Sequence, residues 1–191
     1  MKTLIHICCA NCALYPITKL LERKMSFEGF WYNPNIHPAE EYIKRLEAVK
    51  QIEAKYDLTI LYKNVYGLKE FIRTVVFDEQ NSCEHCYSMR LRQTALCAKQ
   101  RGFEAFTTTL LFSVYQNYDL IIQTGKELES EYDLEFYIED FRKGWKKGNE
   151  MSRALNLYRQ KYCGCIYSEL ERYAKKLDKM LMKLAPLDKI S

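Results

Sequence analysis

The stretch Thr3-Leu4-Ile5-His6-Ile7-Cys8-Cys9-Ala10-Asn11-Cys12 decides the fold and places the chemistry. Leu4–Ile7 is a short apolar run of the kind that forms a buried strand. In an open α/β sheet the active crevice lies beyond the carboxyl ends of the strands. The segment after Ile7 is therefore the first place to look. A nucleotide-binding domain would carry glycines there, so that backbone N–H groups approach phosphate. This loop has three thiols and no glycine. It is built to hold something soft, not a phosphate.

Outward from this stretch, short apolar runs alternate with helical patterns. Pro16–Met25 reads as a helix, and Phe27–Tyr32 as a second strand closed by the turn Asn33-Pro34-Asn35. Pro38 suits a helix start, and Tyr42, Leu46, Val49, Ile52 and Tyr56 share one face of that helix. Leu58–Tyr62, Glu104–Leu110 and Leu134–Ile138 are further strand candidates. Helices are expected over Gly67–Phe77, over His85–Arg101 ahead of Gly102, and around Leu120, Ile121, Thr124 and Leu128. Ile166, Leu170, Tyr173, Leu177, Met180, Leu181 and Leu184 form a last helical stripe, backed by lysines. The expectation is one α/β domain over 1–191, a mostly parallel sheet with helices on both faces and the C-terminal helix 166–185 packed on it.

Composition sets the class. The chain has 191 residues, 48% of them apolar and 28% charged, as a globular domain does. Seven glycines and four prolines are too few for a disordered or collagen-like chain. No apolar run approaches the roughly 18–20 residues of a membrane span. The start runs straight into a strand without a signal-peptide pattern, so a cytoplasmic protein is expected. A net charge of +4 is too mild to name nucleic acid as a partner. The eight cysteines fall short of a disulfide scaffold. In a reducing compartment their clustering points to metal or redox chemistry.

Seven of the eight thiols sit in three compact groups. Cys83-Glu84-His85-Cys86 is a C-x-x-C and Cys163-Gly164-Cys165 a C-x-C, each just before an expected helix. Two thiols at C-x-x-C spacing meet one ion, and a helix N-terminus favours their thiolates. Cys97 is alone in mid-helix and reads as packing. A structural zinc would use four of these thiols and leave three without a role. Histidine adds little nitrogen: His6 lies inside the first strand, His37 precedes Pro38, and His85 stands between two cysteines. Thiolate-rich iron–sulfur ligation therefore fits better than a mixed zinc site. Cys163 and Cys165 would cycle between dithiol and disulfide, or bind a second metal.

Several segments together resemble the QueH family of epoxyqueuosine reductases. They are Cys8–Cys12, Phe30–Pro38, Cys83–Cys86 with Tyr87 and Arg90-Leu91, Phe106–Leu111, and Tyr158–Cys165. Val114 departs from the pattern, which has proline after Ser113. The resemblance implies a fold related to the adenine-nucleotide α-hydrolases (Rossmann-like), and reductive deoxygenation of epoxyqueuosine to queuosine in the wobble base of tRNA. An external electron donor would be needed. A parallel with sulfonucleotide reductases implies a 4Fe–4S cluster on Cys8, Cys9, Cys83 and Cys86, with Cys12 in reserve or on a second iron ion. The redox pair then falls on Cys163 and Cys165. His37, Asp140 and Tyr162 are candidate acids, and Asp140 alternatively an iron ligand. Tyr32, Asn33 and Asn35 end the second strand and are candidates to touch the base. Arg142, Lys143, Trp145 and Lys146 form a basic, aromatic loop suited to tRNA. The competing readings are a sulfonucleotide reductase-like enzyme, which lacks its Ser-Gly-Gly loop here, and a zinc-stabilised RNA-binding module without catalysis.

Overall fold

A computed structural model describes residues 1–184. Residue 185, the expected end of the last helix, lies outside them. Five strands form one all-parallel sheet: β1 (Lys2–His6), β2 (Ser26–Trp31), β3 (Ile60–Tyr62), β4 (Ala105–Thr108) and β5 (Glu135–Phe136), in the order β3-β2-β1-β4-β5. The middle strand β1 pairs His6 with Phe30 on one side and with Thr108 on the other. Chain direction across the sheet reverses at β1, so the crevice of such a fold opens at the carboxyl ends of β1 and β4.

Among the described residues seven α-helices complete the fold: α1 (Ala10–Glu22), α2 (Ala39–Tyr56), α3 (Leu68–Val75), α4 (Ser82–Gln100), α5 (Tyr118–Tyr132), α6 (Trp145–Ala154) and α7 (Ile166–Leu181). Successive strand residues supply two cores, because side chains alternate across a strand. Phe30 joins Leu4, Leu91 and Phe106 on one face, while Trp31 joins Ile7, Leu14 and Ile52 on the other. His6 is fully buried in β1, its Nδ1 at 2.9 Å from Thr108 Oγ1 and its Nε2 at 3.2 Å from Asn33 Oδ1. It is a satisfied core residue.

Two helix starts differ from the sequence reading. The first helix begins at Ala10, not near Pro16, so Pro16 lies within it. Cys9 is its N-cap, and its sulfur accepts the Cys12 N–H at 3.4 Å. Cys83 and Cys86 likewise stand inside the first turns of α4 rather than before it. The apolar stripe of α7 is not buried: Leu170 is 58% and Leu181 62% exposed, and no residue of the helix is in the core. Its first half meets the domain, where the Tyr167 ring lies 6.3 Å from that of Phe71 and the Tyr173 ring 6.5 Å from that of Tyr162.

Candidate metal centre

Strand β1 delivers Cys8 and Cys9 to the crevice, and the first turn of α1 returns Cys12 to them. The three sulfurs lie within 4.8 Å of one another and all three residues are buried. Thr109, just past β4, ties the two strand ends together: its hydroxyl accepts the Cys8 N–H at 3.0 Å and lies 3.3 Å from the Cys8 sulfur. Gln160 donates to the Cys9 sulfur at 2.9 Å. Cys9 is the thiol of the trio whose ionisation its neighbours favour. Its pKa is driven well below the thiol range by hydrogen bonds from Cys12 and Cys8, against burial and with help from Arg45. Cys12 moves the opposite way, raised by its hydrogen bonds to Cys8 and Cys9 and by burial. Protons on such thiols leave when a cation arrives, so affinity would rise with pH.

The second and third thiol groups lie near each other. Burial first, then the charges of Cys163 and Cys165, raise the Cys83 thiol. Cys86 is pushed up to about 12 by burial, with Arg90 opposing and Cys163 adding to the shift. Cys163 accepts from Gln116 Nε2 at 3.0 Å, while Cys165 caps α7 through the Ser168 N–H at 3.4 Å. Cys97 stands apart in α4, half-buried. His85 is paired with Asp78 at 2.7 Å on the surface.

Two buried guanidinium groups, neither singled out from sequence for a role, hold this assembly. Arg45 in α2 pairs with Glu41 at 2.7 Å and donates to the carbonyls of Cys163 at 2.5 Å and Tyr162 at 3.0 Å. The Cys163–Cys165 loop is thus clamped by a residue more than a hundred positions away. Gly164 has φ +148°, which favours glycine, and a Cβ there would press on Arg45 Nη1 at 3.0 Å. Arg90 in α4 is 1% exposed and donates from Nε to Asn35 Oδ1 at 2.8 Å. It has no carboxylate partner among the described residues. Burial works against its charge, but Cys86, Cys163 and Cys8 outweigh that cost. A cavity of about 850 Å³ opens over the centre, lined by Cys8, Cys9, Cys12, Cys163, Arg45 and Arg90.

The structure redistributes the other expected site residues. Asn33 and Asn35 are fully buried supports: Asn33 Nδ2 donates to the Ile7 carbonyl at 2.9 Å, and Asn35 receives Arg90. Tyr32 stacks beside Phe30 at 6.2 Å, with Lys63 over its ring. His37 is buried, its ring nitrogens without partners and its pKa lowered to about 4, chiefly by burial. With its charged form disfavoured by burial, the ring is a poor general acid near neutrality. Its backbone instead holds the thiol loop, donating to Gly164 O at 2.7 Å and accepting from Tyr162 Oη at 2.6 Å. Asp140 receives Arg142 Nε at 2.8 Å and Nη2 at 2.9 Å, which lowers its pKa and keeps it an acceptor. Asp140 and Lys143 line a separate surface groove, and Arg142 stacks 3.8 Å over Tyr118. The expected basic loop is helical here, and Trp145 and Lys146, in the first turn of α6, do line the thiol cavity.

The family model described as epoxyqueuosine reductase QueH matches residues 3–171. The chain belongs to the QueH family. Similar proteins described as epoxyqueuosine reductase QueH include one from Thermotoga maritima, 40% identical over 182 residues, covering 90% of this chain and 92% of that one. One from Dehalococcoides mccartyi is 36% identical over 174 residues, covering 91% and 96%. One from Staphylococcus epidermidis is 29% identical over 188 residues, covering 90% and 77%. All three thiol groups fall within the span that the QueH model matches. No helix among the described residues is long and apolar enough to cross a membrane.

Proposed function

We propose that this chain reduces epoxyqueuosine to queuosine in tRNA at the thiol cavity. The observation that carries this reading is the buried Cys8, Cys9 and Cys12 trio at the sheet's crevice, opening into the cavity that Cys163 also lines. An all-sulfur, largely buried donor set suits iron–sulfur ligation. Cys8, Cys9, Cys83 and Cys86 remain the proposed ligands of a 4Fe–4S cluster. The close approach of Cys12 supports a ligand role for it, to the cluster or to a second iron ion. When bound, such a cluster would supply single electrons, and a second iron ion would supply a Lewis acid for the C–O bond.

Loss of the epoxide oxygen takes two electrons and two protons and leaves an alkene and water. The dithiol Cys163 and Cys165, passing to a disulfide, gives up two electrons and two protons, which balances the step. An external electron donor, supplying two electrons with two protons taken from solvent, then restores the dithiol. Arg45 and His37 hold that loop at the cavity, and Gln116 orients the Cys163 sulfur. Trp145 and Lys146 face the same cavity and would meet the tRNA, whose unstacked anticodon bases suit such contacts. A tRNA substrate would place the chain in the cytoplasm.

The test is anaerobic purification with iron and sulfide analysis, followed by turnover of epoxyqueuosine in tRNA. Cys163→Ser and Cys165→Ser should each keep iron and sulfide yet lose turnover. A colourless protein with one zinc and no turnover would overturn the reading. Bleaching by either serine would make the C-x-C a metal ligand instead.

A further inference from the structure

The cavity over the thiols has an aromatic lip, in which Trp145 is joined by a second ring, Tyr115, that has had no part so far. Tyr115 is 81% exposed, and its ring stands 5.5 Å from that of Trp145 at an interplanar angle of 81°. Trp145 in turn leans on the buried ring of Phe112, 5.2 Å away, so this wall has a solid backing. Gly148 permits that packing, since a Cβ there would meet Phe112 Cζ at 2.5 Å. The two outer rings make a right-angled corner at the cavity mouth.

The corner is also tied to the reactive thiols. Tyr115 is held by its N–H on Ser113 Oγ at 3.3 Å, and the next residue, Gln116, reaches the Cys163 sulfur at 3.0 Å. Gln116 is braced from behind by Tyr87 Oη at 2.8 Å. The distance from the lip to Cys163 is therefore set by a short, pinned segment. Around the same cavity stand Lys146, Arg153, Arg159 and Lys161, against Glu150 and Glu171. An exposed tyrosine ring set at a right angle to a half-buried tryptophan, beside a surplus of cations, offers what an unpaired nucleobase and its phosphates require.

We infer that Tyr115 and Trp145 form a stacking corner for the unpaired base adjacent to the reacting nucleotide of the tRNA. This rests on the substrate reading above. Stacking there turns the neighbouring base outward and leaves the modified nucleotide free to descend toward Cys163. Tyr115 is a binding residue and moves no electron or proton.

The test uses the metal-loaded protein and an unmodified anticodon stem–loop RNA, in which 2-aminopurine replaces one base beside the wobble position. Stacking on the corner quenches that fluorophore in the wild type at one of the two flanking positions. Tyr115→Ala should abolish the quench and weaken binding about tenfold, the scale of one base–aromatic stack. Tyr115→Phe should restore both. An abasic nucleotide at that position should weaken wild-type binding equally and cost Tyr115→Ala nothing further. A wild type without a quench at either position, or additive losses from the two changes, would overturn the inference. These measurements need no epoxide, so failure of epoxyqueuosine turnover in the wild type would overturn only the reaction. Tyr115 is exposed, and the alanine variant is checked for wild-type iron content and thermal unfolding before binding is read.

Discussion

Cys12 illustrates how a residue's standing depends on its neighbours. In the chain it trails Cys9 by three positions, and helical geometry brings that spacing onto one face. The first turn of α1 then places its sulfur within the trio. Cys12→Ser is expected to lower bound iron and to cut turnover by more than about tenfold, since even residues behind a metal ligand cost that much. Cys97→Ser should leave both unchanged; iron analysis and turnover of the two variants compare them directly. The histidines set a different expectation. His6 is held at about 3 and His37 at about 4, both below the unfolded value of about 6.5. The unfolded chain takes these protons first as pH falls. Stability contributed by the neutral rings is therefore complete above about pH 6.5 and declines toward pH 4 and pH 3, by about 1.4 kcal/mol per pH unit for each ring. Urea unfolding of metal-free protein between pH 7 and pH 5 measures this. His37→Phe should remove one proton's worth of the slope, and an unchanged slope would refute the assignment.

At the scale of elements, the Cys163–Cys165 loop has no regular structure of its own and owes its shape to α2. Arg45 and Glu41 are buried together, and each needs the other. Arg45→Met leaves a buried carboxylate unpaired and frees two loop carbonyls. We expect a loss of about 3–5 kcal/mol in metal-free stability, measured by chemical denaturation. Gly164→Ala probes the loop alone. Its φ of +148° strains any side chain, and a methyl group would press on Arg45 Nη1 at 3.0 Å. The strain, of order 1–3 kcal/mol, falls on the loop, so turnover should drop at least about tenfold while iron content holds. Loss of iron in this variant would show that the loop also serves the metal.

For the whole molecule, charge is divided between two openings. Lys146 and Arg153 line the thiol cavity, whereas Lys143 lines the separate groove with Asp140 and Arg23. Replacing Lys146 and Arg153 with alanine should shallow the log–log salt dependence of tRNA binding by about two units, one for each phosphate that the variant no longer neutralises. Lys143→Ala should leave the slope close to wild type. Equal effects at both places would mean that the RNA spans the two openings. Binding measured at several salt concentrations decides between them.

Alternation of apolar runs with helical stripes determined the parallel α/β sheet, because periods of 2 and 3.6 are local properties of the chain. The same local reading put three thiols at the crevice, since the end of β1 and the start of α1 are contiguous in sequence. It also separated His6, with its strand position, from any metal site. Partnership across the fold was not legible. Arg45 and Arg90 look like ordinary polar-face residues until α2 and α4 pack against the thiol loops and bury them. Asn33 and Asn35 look like turn residues facing substrate, and only tertiary contact turns them inward to Ile7 and Arg90. The stripe of α7 predicts a packed helix, yet its exposure depends on whether a complementary apolar surface faces it, and among the described residues none covers it. Periodicity and spacing are written along the chain; burial, charge pairing and loop position arise only when distant segments meet.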